Sequence, residues 1–109
     1  MAYDVELSDR IREILQGESG LTERRMFGGL AFLVSGNMAV AASDRGIMVR
    51  VDPARTESLV DEPRVRRMVM RGRELDGWLR VEPAVVEDDD ALRDWVGRGV
   101  AHARSLPPK

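Results

Sequence analysis

The first half of the chain holds three short apolar segments separated by turn residues, and this pattern constrains the fold more than any other feature. Leu30–Val34 is followed by Ser-Gly-Asn at 35–37, and Met38–Ala42 by Ser-Asp-Arg-Gly at 43–46, before Ile47–Val51. Short segments rich in aliphatic side chains and bounded by Gly, Asn, Asp and Ser are typical of antiparallel strands joined by tight turns. We therefore expect three consecutive strands of one sheet.

Both faces of this predicted sheet are apolar. Pairing of Val34 with Met38 across a loop at 35–37 brings the larger side chains of the three strands onto one face. These are Leu30, Phe32, Val34, Met38, Val40, Ala42, Ile47, Val49 and Val51. The opposite face carries Ala31, Leu33, Ala39, Ala41 and Met48, with Arg50 as its single charged residue. A sheet wetted on one side normally alternates apolar with polar residues, so we expect this one to be covered on both faces, or closed by a partner such as a second copy of the chain.

The first helix follows from apolar spacing near the N-terminus. Leu7, Ile11 and Leu15 recur at the interval of one helix face. Asp4 or Ser8 is the candidate cap, because either side-chain oxygen can accept a backbone N–H of the first turn. The remaining predicted elements are a strand at 22–27, a short helix from 52 to 60, strands at 65–70 and 78–82 joined by a connection at 71–77, and a final helix that starts at 88–90. The predicted order is a helix, three or four strands, a helix, two strands and a helix.

Composition removes most enzymatic chemistry. The chain has no cysteine and one histidine, His102, which excludes disulfides, thiolate metal sites and cysteine nucleophiles. The Asp88–Asp90 run is explained by helix capping more economically than by a cation site. Gly28-Gly29 lacks the lysine and hydroxyl of a phosphate loop. We predict a non-enzymatic domain without catalytic residues, cofactor or metal.

Methionines and tryptophans are the remaining residues that suggest binding. Six methionines are adaptable core fillers, with a methionine-rich binding groove as the alternative interpretation. Trp78 and Trp95 are interpreted as packing anchors, with stacking on nucleic-acid bases as the lesser alternative.

Charge is nearly balanced, at a formal −2, but unevenly distributed. Residues 64–80 hold six arginines against two acids, while residues 82–94 hold six acids and one arginine. The candidate contacts for nucleic acid or an acidic partner are Arg64, Arg66, Arg67, Arg71 and Arg73. The alternative is an ordinary solvated hairpin. The acids that follow would oppose DNA if they lay on the same face.

Several short motifs together resemble one family. The run from Arg25 to Val40, which contains Met26-Phe27-Gly28-Gly29 and Gly36-Asn37, resembles the N-terminal domain of the TfoX/Sxy family. The resemblance continues through Met70-Arg71-Gly72-Arg73, Gly77-Trp78 and the terminal Ser105–Lys109. It implies a two-layer α+β sandwich of the secretion-chaperone-like type, α-β(3)-α-β(2)-α, with a mainly antiparallel sheet. The residues interpreted as its fold signature are Met26, Phe27, Gly28, Gly29, Gly36, Asn37, Gly72 and Trp78.

The resemblance also implies a class of function. Full-length TfoX/Sxy proteins are regulators of natural competence that act as coactivators with a cyclic-AMP receptor-type transcription factor, and they carry a second, C-terminal domain. We expect residues 1–109 to form one domain without that second domain. The resemblance favours a protein-binding domain that is an accessory to transcriptional regulation, with another protein as partner and direct DNA binding as a lesser alternative. The rival hypotheses are a small-ligand-binding or enzymatic domain that uses the cleft between sheet and helices, and a structural homodimer.

The chain is expected to be cytoplasmic and without a membrane partner. Its apolar runs fall short of the ~20 residues that a membrane span requires. Its N-terminus is acidic and lacks the apolar core of a secretory signal.

Overall fold

The elements follow the predicted order of a helix, four strands, a helix, two strands and a final helix, with one additional short helix before the last. The computed structural model describes residues 5–26, 29–43 and 45–108. The strands are β1 (Leu21–Met26), β2 (Gly29–Val34), β3 (Asn37–Ser43), β4 (Gly46–Arg50), β5 (Val65–Met70) and β6 (Arg73–Val81). The helices are α1 (Val5–Ile14), α2 (Thr56–Leu59), α3 (Pro83–Val86) and α4 (Asp89–Ser105), with a 3-10 turn at Pro53–Arg55 before α2.

The six described strands form one sheet in the order β1-β2-β3-β4-β6-β5, and each neighbouring pair is antiparallel. This architecture confirms the predicted α+β class with a mainly antiparallel sheet. Four strands precede α2, whereas the resemblance implied three. The additional strand is β1, which pairs with β2 from Leu21, opposite Val34, to Met26, opposite Gly29.

The turn between β2 and β3 is tighter than predicted. Val34 pairs with Asn37, so the expected pairing of Val34 with Met38 is wrong. The loop consists of Ser35 and Gly36, with φ of 52° and 84°. Two residues with positive φ give the turn a twist that matches the twist of the flanking strands, and this favours the two-residue loop.

A bulge in β3 then sorts the side chains between the two faces of the sheet. Leu33 pairs with Met38 while Phe32 pairs with Val40, which leaves Ala39 as an extra residue on β3. A single extra residue reverses the alternation beyond it. Met38 therefore lies on the face opposite Val40, contrary to the prediction that they share a face.

The main core lies between the sheet and the helices. The apolar side chains that the described helices bury all belong to this one cluster. The strands contribute Leu30, Phe32, Val34, Ala39, Val40, Ala42, Ile47, Val49, Val65, Leu79 and Val81. The helices contribute Leu7, Ile11, Val86, Leu92, Trp95, Val96 and Ala103, and Leu15 joins them just after α1.

Helix α4 approaches the sheet closely at one glycine. A Cβ added to Gly99 would lie 2.3 Å from the carbonyl oxygen of Ala39, the bulged residue of β3. The side chain missing at Gly99 lets α4 rest directly on the β3 backbone.

Several element boundaries differ from the predictions. Strand β6 begins at Arg73, so the expected connection at 71–77 is wrong, and the turn is reduced to Arg71 and Gly72, with φ of 55° and 76°. The short helix α3 was not predicted. It begins at Pro83, a residue type that suits the first turn of a helix.

The predicted helix caps are confirmed only in part. Ser8 is buried inside α1 and is not its cap, while Asp4 lies outside the described residues. Gly17, which follows α1, has a left-handed conformation, with φ of 92°. The Asp88 carboxylate accepts the N–H of Ala91 at 3.1 Å, which confirms the capping interpretation.

One buried hydroxyl fixes the 3-10 turn and α2 to β6. The Thr56 side chain is fully buried; its Oγ1 accepts the backbone N–H of Gly77 at 2.7 Å and donates to the carbonyl of Pro53 at 2.9 Å. The Gly77 carbonyl in turn accepts the N–H of Val51 at 2.9 Å. The end of β4, a kink in β6 and the start of α2 are thereby one hydrogen-bonded unit.

None of the helices within 5–26, 29–43 and 45–108 is long and apolar enough to cross a membrane.

A pair of glycine substitutions on α4 tests the close approach. Gly97→Ala adds a methyl group where no atom lies within 4 Å, so it should raise the free energy of unfolding by up to about 1 kcal/mol through helix propensity. Gly99→Ala gains the same propensity but forces α4 away from Ala39, so it should lower that free energy by about 1–3 kcal/mol. Urea unfolding of both variants measures the difference. Equal stabilisation by both substitutions would contradict the described packing.

Thr56 variants test the hydrogen-bonded unit. Thr56→Val keeps the side-chain shape but leaves the buried N–H of Gly77 without an acceptor, which should lower the free energy of unfolding by about 1–3 kcal/mol. Thr56→Ser retains the hydroxyl and serves as the control, with a smaller loss from one methyl group of about 1 kcal/mol. Thermal and urea unfolding compare them. A valine variant as stable as the serine variant would refute the role assigned to the hydroxyl.

Candidate interaction surface

The face of the sheet opposite the helices carries a second apolar cluster. It consists of Ala31, Leu33, Met38, Ala41 and Met48, and we refer to these five residues as the open face. These residues are only 0–7% exposed, although the buried apolar side chains of the described helices all lie in the other cluster. Met68 and Trp78, from the neighbouring strands, pack against them. Within the described residues both faces of the sheet are therefore buried, as expected.

An apolar depression continues the open face towards the end of the β5–β6 hairpin. Its walls are the side chains of Met48, Met68, Met70, Leu75 and Trp78, and its volume is about 180 Å³. We call it the methionine hollow. Its lining residues are all apolar apart from the indole N–H of Trp78, so it suits an apolar side chain better than a polar ligand.

An irregularity in β6 turns the hairpin side chains into this hollow. Arg67 pairs with Leu79, but the next residue, Met68, pairs with Leu75, so residues 76–78 have no partner on β5. Gly77, at φ of 87°, lies in this bulge, where its left-handed conformation is compatible with a sharp bend. Met68 and Leu75 then face each other across the hairpin and both line the hollow.

Two arginines neighbour residues that line the hollow. The Arg50 guanidinium lies 5.1 Å from the ring centroid of Trp78, a stacking distance at which the cation is attracted to the ring. Arg73 lies directly opposite Met70 in the hairpin. Within the described residues neither arginine pairs with a carboxylate. The hollow is thus an apolar depression with uncompensated positive charge beside it.

Exposed apolar surface is concentrated at the same hairpin. Met70 is 43% exposed and Val69 is 60% exposed. Met70 lines the hollow, whereas Val69 pairs with Glu74 and lies on the other face of the hairpin. The hairpin therefore exposes one apolar side chain on each of its two faces.

The structure divides the five candidate arginines of the basic cluster. Arg64 pairs with Asp61, Arg66 with Glu82, and the Arg67 Nε donates to Asp76 Oδ1 at 3.0 Å. The hydrogen bond that Arg67 donates to Asp76, ahead of any other cause, raises the pKa of Arg67 above its ordinary value. Arg66 lies opposite Arg80, and Arg67 opposite Leu79 of the main core, so these adjacent arginines are directed to opposite faces of the sheet.

Arg71 and Arg73 differ from the other three. Both are exposed at the hairpin turn, and among the described residues neither forms an ion pair. The structure therefore does not bring the five candidates together as one patch. It compensates three with local acids and leaves the other two without ion pairs at the hairpin turn.

The glycines of the predicted fold signature occupy turns and a close strand contact. A Cβ on Gly29 would lie 2.1 Å from the carbonyl oxygen of Ala42, so β2 and β3 need a glycine there. Gly36 and Gly72 both adopt positive φ in two-residue turns.

The other signature residues have varied environments. Asn37 is buried and its Nδ2 donates to the carbonyl of Pro107 at 2.9 Å, which attaches the C-terminal segment to the β2–β3 turn. Met26 pairs through its backbone with Gly29, and Trp78 lines the hollow. Phe27 and Gly28 lie outside the described residues.

The sequence favoured methionines as core fillers, with a methionine-rich binding groove as the alternative, and the structure places methionines in two kinds of environment. Met38 and Met48 are buried in the open face, whereas Met68 and Met70 are partly or largely exposed. Arg50 was visible as the single charge on that face, but its proximity to Trp78 depends on the pairing of β4 with β6. No group of three or more His, Asp or Glu side chains suited to a metal occurs in the described part of the chain.

Comparison with known proteins identifies a family. No curated protein and no solved structure gives a significant match to the chain. A family model described as the TfoX N-terminal domain matches residues 13–103 of the 109. This family is not a known enzyme family. The match covers most of the chain, including the whole described sheet, and the fold agrees with it, so the chain belongs to the TfoX N-terminal domain family.

Proposed function

We propose that this chain is a non-enzymatic domain that binds an acidic segment of a partner protein at the methionine hollow. The observation that carries the proposal is the exposed apolar hollow flanked by Arg50 and Arg73, two cations without carboxylate partners among the described residues. Apolar and basic groups side by side suit a segment in which an apolar anchor is accompanied by acidic residues.

The two parts of the surface supply different contributions to binding. A leucine-sized anchor that leaves water for the hollow contributes about 1.5–3 kcal/mol. Methionine side chains adapt to the shape of the anchor because they are unbranched and flexible. The arginines add mainly association rate and selectivity for acidic partners, since exposed charge pairs contribute little affinity.

A second copy of the chain is a less suitable occupant of the hollow. In a symmetric dimer the same patch meets itself, so Arg50 and Arg73 of one copy would approach those of the other. Like charges brought together in this way oppose association. The exposed apolar residue that protrudes most, Val69, lies on the other face of the hairpin and cannot fill the hollow in such an arrangement.

Family membership supports a regulatory role. We propose a cytoplasmic accessory of transcriptional regulation, in line with what the resemblance to TfoX/Sxy regulators implies, that acts by holding another protein. The lack of cysteine and the presence of only one histidine in the chain support a binding role in place of catalysis.

Matched hairpin variants test the docking surface. Wild-type chain and its Met70→Asp and Val69→Asp variants are immobilised, native lysate is passed over each, and the retained protein is identified and purified. Calorimetry with the purified partner should show binding to wild type that Met70→Asp weakens about tenfold or more, because the anchor loses its apolar site. Val69→Asp introduces the same charge one residue away on the other face and should leave the affinity unchanged.

A second pair of variants tests whether binding depends on the charge of Arg73. Arg73→Glu should weaken the same binding and reduce its dependence on salt, whereas Arg45→Glu, in the β3–β4 turn, should do neither. Loss of binding in both Met70→Asp and Val69→Asp, or in neither, would overturn the proposed site. Sedimentation that shows a wild-type dimer dissociated by Met70→Asp would replace the acidic partner with a second copy.

Direct DNA binding is the alternative that the basic cluster raised. Because Arg64, Arg66 and Arg67 are compensated by acids, we expect no saturable binding of a fluorescein-labelled duplex in anisotropy titrations at low salt. Saturable binding with a steep salt dependence, lost on Arg71→Gln and Arg73→Gln, would falsify this expectation and favour a nucleic-acid partner.

A further inference from the structure

A second cavity opens on the helical side of the molecule, away from the methionine hollow. It lies between the 3-10 turn with α2 on one side and the last turns of α4 on the other, and its volume is about 280 Å³. We call it the α4 cleft. Its lining residues are Val51, Asp52, Arg55, Leu59, Arg98, Ala101, His102 and Ser105.

One wall of the α4 cleft is a polar stripe along a helix. Arg98, His102 and Ser105 are separated by four and three residues, so they follow one another along the same face of α4. The Arg98 guanidinium lies 4.8 Å from the ring centroid of Trp95, which is buried. Stacking on a buried ring restricts the guanidinium before any ligand arrives, and this lowers the entropic cost of binding.

The facing wall is held in place by the core. Arg55 immediately precedes Thr56, whose buried hydroxyl bonds to the Gly77 N–H at 2.7 Å. The 3-10 turn that carries Arg55 is also capped by Asp52, whose Oδ1 accepts the N–H of Ala54 at 2.9 Å. Both walls of the α4 cleft are therefore attached to the sheet.

The charge of the α4 cleft is positive. Arg55 and Arg98 form no ion pair with any carboxylate that the structure describes. The opposing groups are the Asp52 carboxylate, already engaged in capping, and the C-terminal carbonyls of α4, equivalent to about half a negative charge. The two guanidinium groups outweigh them.

We propose that the α4 cleft binds a small organic anion, a carboxylate or a phosphate monoester, with its charged group at Arg55 and Arg98. Paired guanidinium groups recognise the oxygens of either anion. Val51, Leu59 and Ala101 supply an apolar wall for the body of the ligand. This site is separate from the proposed protein-binding surface, since it shares no lining residue with the methionine hollow.

Two probes distinguish the kinds of anion. Full-length 15N-labelled chain is titrated with benzoate and, separately, with inorganic phosphate, while sodium chloride keeps the ionic strength constant. Benzyl alcohol, which has the ring of benzoate without its charge, is the neutral control. We expect saturable shifts of amides in the α4 cleft with at least one anion and none with the alcohol. Saturation by benzoate assigns a carboxylate, and saturation by phosphate assigns a phosphate monoester.

Single substitutions decide whether the arginines are responsible. Arg55→Gln and Arg98→Gln should each weaken the binding about tenfold, because a hydrogen bond to a charged group is lost. Arg93→Gln, on the same helix but outside the α4 cleft, should leave it unchanged. Shifts that do not saturate, that persist in both cleft variants, or that the alcohol reproduces would overturn the proposal. Arg55 lies outside α4, so its variant tests the site even if Arg98→Gln disturbs the helix.

Discussion

The approach of α4 to the backbone of β3 is the contact on which the rest of this structure depends. Gly99 lies against the carbonyl of Ala39, and Ala39 is the residue that β3 carries in excess of β2. The bulge turns Val40 towards the helices and Met38 away from them. The main core and the open face both follow from that reversal, because the same strand supplies large side chains to each.

A second irregularity, the bulge in β6, determines which side chains the β5–β6 hairpin exposes. Where residues 76–78 of β6 have no partner on β5, Met68 and Leu75 come to face each other and the hairpin end presents Met70 and Arg73 on one side. Bulges are frequent next to functional sites because they redirect side chains without breaking the sheet. Here the bulge leaves apolar side chains partly exposed at the edge of an otherwise buried face. Exposed apolar surface slightly lowers the stability of the isolated domain, and its burial under a partner favours binding.

Alternation and turn chemistry were sufficient to predict most of this fold from the sequence. The strands around Phe32 and Val49 and the capped final helix required only local patterns. The bulge at Ala39 was not predictable in that way, since Ala39 lies inside the continuous apolar segment Met38–Ala42, where the residue types do not mark a change of face. Which of the arginines form ion pairs could not be predicted from local patterns either. Whether Arg67 is compensated by Asp76 depends on the geometry of the β6 bulge, whereas the sequence shows only two charges nine residues apart.

The two proposed sites lie on opposite faces of the sheet but meet at the end of one strand. Arg50 stacks on Trp78 beside the methionine hollow, while the next residue, Val51, lines the α4 cleft. The N–H of Val51 donates to Gly77, and Gly77 donates to Thr56 at the base of the cleft wall. Mutual influence between a partner and an anion would require that each bind two arrangements of this unit with different affinity. With Thr56 fully buried and bonded on both sides, the unit favours one arrangement, so we expect the two proposed sites to bind their ligands independently of each other.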